Sequence, residues 1–324
     1  MAIAETGRVN RTILERFQRL IARDRLAHAY LLTGPQGSGK AATALAIAQM
    51  VNCESSTASP CQQCVSCRKI ASGNHPDIAV VNQGEDASIK IHKIRDVIQR
   101  IQMHPYEGRR KVIVIEEIDL LTMEGANAFL KTLEEPTASS LLLLTTANPE
   151  RVPATVRSRC HSVVFFGVSR RDTARLLQQE SDCPPDEAMM VAGFAEGCYG
   201  KARRLYEEKF IARRDEALRR FVIDGSADEA YLKGLAANRS TLIETLNILL
   251  VCFKDMMLLK ARAHEESVTN CDRMDDLKRR MACYSRQQLR DAAEEIVNTK
   301  RLVDANLNIK VPLILLKEKL WISN

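Results

Sequence analysis

Short apolar runs alternate with stretches of helical periodicity through the first half of the chain. Positions 29–32, 78–81, 112–115, 141–145 and 162–166 read as strands. The run Val112, Ile113, Val114, Ile115 has no polar residue in alternation, which marks a central strand buried on both faces. Between the third and fourth runs, Ala126, Phe129, Leu130 and Leu133 fall at i, i+3, i+4 and i+7, while Lys131, Glu134 and Glu135 point outward and Pro136 stops the helix. Strands alternating with helices predict a parallel sheet covered on both sides, an α/β class. After Gly167 the strand signal ends, and the remainder is helical, punctuated by Pro184, Pro185, Gly193, Gly197, Gly200 and Gly225. The expected domains are an α/β domain over 1–167, a small helical domain over 168–210 and a helical C-terminal domain over 211–324.

Composition narrows the class. With 324 residues, 45% hydrophobic and 27% charged, the chain is an ordinary globular sequence long enough for two or three cores. The net charge of +6 is spread over short clusters at Arg109–Lys111, Arg170–Arg171 and Lys278–Arg280, which permits nucleic-acid contact without requiring it. The opening ten residues are polar and carry no apolar signal core. The most apolar stretch of the second half, 241–259, is interrupted by Glu244, Lys254 and Asp255. Its charge-free part, 245–253, is far short of the roughly 18 residues that span a bilayer. The expectation is a cytoplasmic protein with no membrane contact, in which clustered cysteines bind metal rather than form disulfides.

Immediately after the first strand comes Gly34-Pro35-Gln36-Gly37-Ser38-Gly39-Lys40-Ala41, followed by a helical run over 41–51. This is the G-x-x-x-x-G-K phosphate loop in its strand–loop–helix setting; a chance glycine-rich turn is the bland alternative. Gly34, Gly37 and Gly39 let backbone N–H groups turn in on phosphate oxygens, and Lys40 reaches the terminal phosphates. The next position should carry the hydroxyl that binds Mg²⁺ in ATP–Mg, and here it is Ala41. Thr43 lies two residues further round the helix. At the end of the third strand, Glu116 stands where a Mg²⁺-associated carboxylate belongs and Glu117 where a water-activating one does; the alternative is a solvated strand end. Ala41 and Glu116 together predict a weak ATPase or none.

Cys53, Cys61, Cys64 and Cys67 form C-x7-C-x2-C-x2-C over 53–67. Two-residue gaps bring thiolates together on one ion, and four of them make a closed, structural Zn²⁺ site. Iron–sulfur ligation and unligated thiols are the alternatives. His75, followed by Pro76, reads as a loop residue. Cys160, Cys183, Cys198, Cys252, Cys271 and Cys283 are scattered, as buried small hydrophobes are.

Taken in order, these pieces resemble the AAA+ subunits of bacterial clamp loaders. The resemblance rests on Arg25-Leu26-Ala27-His28-Ala29-Tyr30, the phosphate loop, the four-cysteine insertion and Asn74-His75-Pro76-Asp77. It continues with the acidic strand end, residues 127–136 (NAFLKTLEEP), Thr145-Thr146-Ala147-Asn148 and Ser158-Arg159-Cys160. It covers roughly 10–205 strongly, and the rest by length and helical character. It implies a P-loop sheet domain, a helical lid and an all-helical collar that holds a ring of subunits. It also implies that Arg159, in the family's SRC motif, reaches into a neighbour's ATP site, and that Asn148 sits near the first sensor position. The implied partners are tau/gamma and delta subunits, with the sliding clamp and primed DNA met through the complex of the DNA polymerase III holoenzyme.

Within that family, Ala41, Glu116, Gly200 where the lid's arginine would stand (with Lys201 beside it) and an end at residue 324 lean towards the delta-prime type. The rival reading is an ATP-hydrolysing tau/gamma-type subunit, which Lys40 and Glu117 allow. A third is a stand-alone zinc and nucleic-acid-binding module, disfavoured by the 5% aromatic content and the lack of aromatic–basic interleaving.

Overall fold

The structure is a computed structural model that describes residues 10–55, 59–305 and 309–321. The opening segment, apart from Asn10, lies outside the described residues. The chain forms two compact units, Met1–Val168 with Cys198–Gly200, and Ser169–Gly197 with Lys201–Asn324.

The first unit runs α1 (Arg11–Ala22), β1 (Ala29–Thr33), α2 (Lys40–Asn52), α3 (Val65–Ala71), β2 (Ile78–Val81), α4 (Ile91–Gln102), β3 (Lys111–Ile115), α5 (Met123–Glu134), β4 (Ser140–Thr146), α6 (Ala154–Arg157) and β5 (His161–Val164). The strands make one parallel sheet in the order β2-β3-β4-β1-β5. All five expected strands are present. The last is shorter than expected at its C-terminal end, closing at Val164. Its partner β1 turns away at Gly34, so after the Phe165 N–H donates to the Thr33 carbonyl at 2.7 Å there is no further ladder to join.

The uninterrupted apolar runs supply two cores at once. Leu31, Ile113, Ile115, Leu142 and Leu144 face α4 and α5, meeting Ile94, Val97, Phe129 and Leu133. Their chain neighbours Tyr30, Leu32, Val112, Val114, Leu141 and Leu143 face α1 and α2, meeting Phe17, Ile47 and Val51. A pleat sends successive side chains to opposite faces, so a strand covered on both sides needs apolar residues at every position. Alanines at 44, 46 and 48 let α2 lie close on the sheet. This is the α/β class expected, a parallel sheet flanked by helices. Because the strands are parallel, the loops leaving β1, β3 and β4 emerge on one edge, where ligands of such sheets bind.

The second unit is helical: α7 (Arg170–Ser181), α8 (Pro185–Phe194), most of α9 (Tyr199–Glu207), α10 (Phe210–Leu218), α11 (Glu229–Ala237), α12 (Arg239–Lys260), α13 (Met274–Ala282), α14 (Arg286–Asp304) and α15 (Lys310–Leu320). The buried polar side chains of Arg214 and Asp255 find hydrogen-bond partners here. Arg214 donates to both carboxylate oxygens of Asp272 at 2.9 and 2.6 Å, and Asp255 accepts from the Thr269 and Asn270 backbone N–H at 2.9 and 2.8 Å. The Arg280 guanidinium lies 4.1 Å from the centre of the Trp321 ring, fixing the end of the described chain. Among the described residues, no helix is long and apolar enough to cross a membrane. Of the scattered cysteines, Cys183, Cys198 and Cys252 are buried as expected; Cys160, Cys271 and Cys283 are half-buried.

Candidate functional site

The phosphate loop follows β1, and a cleft of about 250 Å³ opens beside it, lined by Gly37, Gly39, Lys40, Ala41, Glu116, Glu117, Thr145, Thr146 and Gly200 among others. Gly37 and Gly39 have φ of 80° and 84°, left-handed values that aim successive N–H groups the same way. Lys40 is buried and donates through Nζ to the carbonyl oxygens of Gly34 and Pro35, each at 2.8 Å. Burial pulls its pKa down, against the nearby Cys198 thiol and the Asp119 and Glu117 carboxylates.

Ala41 lines the same cleft with a methyl group. Thr43 is fully buried, and its Oγ1 accepts from Asn10 Nδ2 at 3.2 Å. Glu116 accepts from Asn82 Nδ2 at 3.3 Å, on the β2 side. Glu117 has a left-handed φ of 52°, and its N–H donates to Thr145 Oγ1 at 3.3 Å. The Gly200 N–H donates to the Gly37 carbonyl at 3.0 Å, and a Cβ at 200 would stand 3.0 Å from that same oxygen. A larger residue at 200 would press on the phosphate loop.

The four cysteines of the insertion converge, their sulfurs all within 4.8 Å of one another, a cluster that can hold a metal ion. Backbone N–H groups point at three of the sulfurs: Cys61 N–H at Cys53 (3.4 Å), Cys64 N–H at Cys61 (3.3 Å) and Cys67 N–H at Cys64 (3.3 Å). Donors from Cys64 and Gln63 draw the Cys61 thiol down to about 6, while burial pushes the Cys67 thiol up. Gln49 on α2 holds the module by donating to the Cys67 carbonyl at 2.9 Å.

Arg159 stands apart from both groups. It follows α6 and donates through Nε to Glu134 Oε1 at 2.9 Å and through Nη1 to the Thr155 carbonyl at 2.8 Å.

A family model described as "DNA polymerase III, delta subunit" matches residues 9–169. The DNA polymerase III subunit delta' of Bacillus subtilis is 26% identical over 320 residues, 96% of each chain. The chain belongs to the DNA polymerase III clamp-loader family. The subunit tau of Bacillus subtilis is 28% identical over 300 residues, 83% of this chain but 52% of that one. A delta' subunit of Pseudomonas aeruginosa is 37% identical over 146 residues, 44% of each. This clamp-loader chain thus matches a delta' relative over 96% of its length and spans about half of the tau relative.

Several residues that carry the sites were not legible beforehand. Asn10 Nδ2 donates to the Ser38 carbonyl at 3.0 Å as well as to Thr43, tying the segment before α1 to the phosphate loop. Asp119 accepts from Thr146 Oγ1 at 2.6 Å and from Asn148 Nδ2 at 3.0 Å, so Asn148 is held by a carboxylate of the acidic strand end. The run Glu116-Glu117-Ile118-Asp119 was the available signal for Asp119.

His75 is in a loop but buried, its Nδ1 accepting from the Asp77 N–H at 3.1 Å. The ring proton therefore sits on Nε2, 3.1 Å from Ser66 Oγ, beside Cys67. Burial lowers its pKa, consistent with a neutral ring.

Asp77 is likewise buried and accepts from the N–H groups of Tyr106, Glu107 and Gly108 at 2.7, 2.9 and 2.8 Å, with Lys111 Nζ at 3.3 Å. Burial raises its pKa, but these donors outweigh burial and hold it below its ordinary 3.8. Replacing Asp77 by Asn is expected to cost about 3–5 kcal/mol, because Lys111 loses its counter-charge and an amide NH₂ meets backbone donors. The fold prefers the ionised form. The contribution is therefore complete above pH 3.8 and fades as pH falls through the lower folded value. Urea unfolding at pH 7 and pH 3 measures both; equal losses at the two values would contradict this assignment.

Proposed function

We propose that the chain is a delta-prime-type clamp-loader subunit that hydrolyses little or no ATP itself and completes a neighbour's ATP site with Arg159. Its partners are tau/gamma and delta subunits, and it works in the cytoplasm, reaching the sliding clamp and primed DNA through the complex. The observation that carries this is at Ala41. It lines the phosphate-loop cleft with a methyl where a Mg²⁺ hydroxyl is required, and Thr43, bonded to Asn10, offers no replacement. The loop from Gly34 to Lys40 keeps its phosphate-binding groups, so ATP would be held by backbone N–H groups and Lys40. Glu116 and Glu117, which line the same cleft, are the carboxylates that would be available to a Mg²⁺ bound with ATP, which would neutralise phosphate charge. Residues 168–210 serve as the lid and 211–324 as the collar.

The metal of the cysteine module is Zn²⁺ in this reading. Four thiolates whose sulfurs lie within 4.8 Å of one another could converge on one Zn²⁺ and would leave no open position for substrate. The ion would cross-link Cys53, Cys61, Cys64 and Cys67 and brace the insertion.

ATP hydrolysis by the purified chain is expected at background, rising only in mixtures that contain tau/gamma-type subunits. Lys40→Ala is expected to leave turnover by the reconstituted complex unchanged within about twofold. Robust hydrolysis by the chain alone, lost on Lys40→Ala, would instead establish the ATP-hydrolysing tau/gamma-type reading.

A further inference from the structure

A guanidinium presents five N–H groups in a planar fork and grips a phosphoryl group best with two of them on one edge. In this chain four already have acceptors: Nε and Nη2 donate to Oε1 of Glu134, and Nη1 donates to the Thr155 carbonyl at 2.8 Å and to Ser158 Oγ at 3.3 Å. One N–H on Nη2 remains. Arg159 in this position has no pair of N–H groups to offer another subunit.

Of the three acceptors, Glu134 is the one that carries a charge. Its carboxylate holds two arms of the fork and also cancels the positive charge that a nucleotide phosphate would attract. The two side chains are 33% and 51% exposed, so the pair is open to solvent and weak enough to be exchanged for a better anion. Glu134 is the last residue of α5 and Arg159 follows α6, so two separate elements set the contact.

We infer that Glu134 is a positioning residue that restrains Arg159. It keeps the guanidinium folded back on its own subunit until a neighbour's nucleotide phosphate displaces the carboxylate. The inference rests on the trans role proposed for Arg159. The exchange is one of hydrogen bonds: Nε and Nη2 leave Oε1 of Glu134 for phosphate oxygens, and no proton or covalent bond moves. The carboxylate then returns to water.

The test uses the reconstituted clamp-loader complex with ATP as substrate and DNA as stimulus. Glu134→Gln keeps the shape and removes the charge. It is expected to lower the ATP concentration for half-maximal turnover by roughly two- to fivefold, the factor an exposed ion pair can supply, with an unchanged maximal rate. Glu134→Asp, which keeps the charge on a shorter arm, is expected to fall between. In an Arg159→Ala background, Glu134→Gln is expected to change nothing further, because the restrained group is gone.

If Glu134→Gln left KM unaltered while Arg159→Ala still silenced the site, the restraint would be overturned and the trans role would stand. A fall in maximal rate with Glu134→Gln would also overturn it, making Glu134 a support. An Arg159→Ala complex with normal turnover would remove the trans role itself.

Discussion

Replacing Arg159 by Ala is expected, on the trans role proposed for it, to lower turnover at the neighbouring ATP site by on the order of 10³-fold, with the isolated chain still folded. A cation supplied in trans to a transferring phosphoryl group is worth roughly 10³–10⁵ in rate, because it meets charge that develops in the transition state. On that role, total DNA-stimulated ATPase of the complex falls by the share of that one site. Folding is spared for a local reason. The Arg159 side chain is one-third exposed and its partners are Glu134, Thr155 and Ser158 on the surface, contacts worth about 1 kcal/mol or less. Arg159→Lys should recover little, since a point charge does not reproduce the fork. Steady-state ATPase of the complex, alongside circular dichroism of the variant chain, separates the two effects. Full activity of the Arg159→Ala complex would end the delta-prime-type account of this residue.

Removing the metal should have the second-largest effect, confined to the first unit. The purified chain is expected to carry one zinc, and Cys67→Ser or a strong chelator to reduce that to a small fraction. A ligand that binds only the folded state adds about 4 kcal/mol at a thousandfold excess over its dissociation constant. At roughly 2–4 °C per kcal/mol, the melting midpoint of that unit should drop by about 10 °C. Cys67 is the informative choice because it is fully buried and sits one residue from Ser66, which meets the buried His75. Loosening should therefore spread to 66–77 and appear as faster amide exchange there, while α12 and α14 keep their protection. Metal analysis showing no bound ion, with an unaltered melt after chelation, would reduce the cluster to four thiols.

What could be read from the chain alone has a common physical character. Parallel strands covered on both faces declare themselves as unbroken apolar runs, so Val112–Ile115 and Leu141–Thr145 were identifiable as strands without any knowledge of their neighbours. The phosphate loop and the two C-x2-C steps are local constellations too, set by turns only a few residues long. Ala41 was legible from the same motif, whose next position should carry a hydroxyl; Arg159 was legible only because the order of motifs resembles a family.

The tertiary structure decided everything that joins distant segments. Asn10 meets Thr43 across 33 positions, Arg159 meets Glu134 across 25, and Asp77 gathers the N–H groups of residues 106–108 across about 30. Each of these is a polar residue whose type alone predicts a solvated loop or a surface ion pair. Whether it lies against water or against a partner depends on where the sheet order β2-β3-β4-β1-β5 brings the loops. Periodicity records which residues leave water. A hydrogen bond between two loops leaves no periodic trace, because its energy depends on geometry between atoms that the chain order keeps far apart.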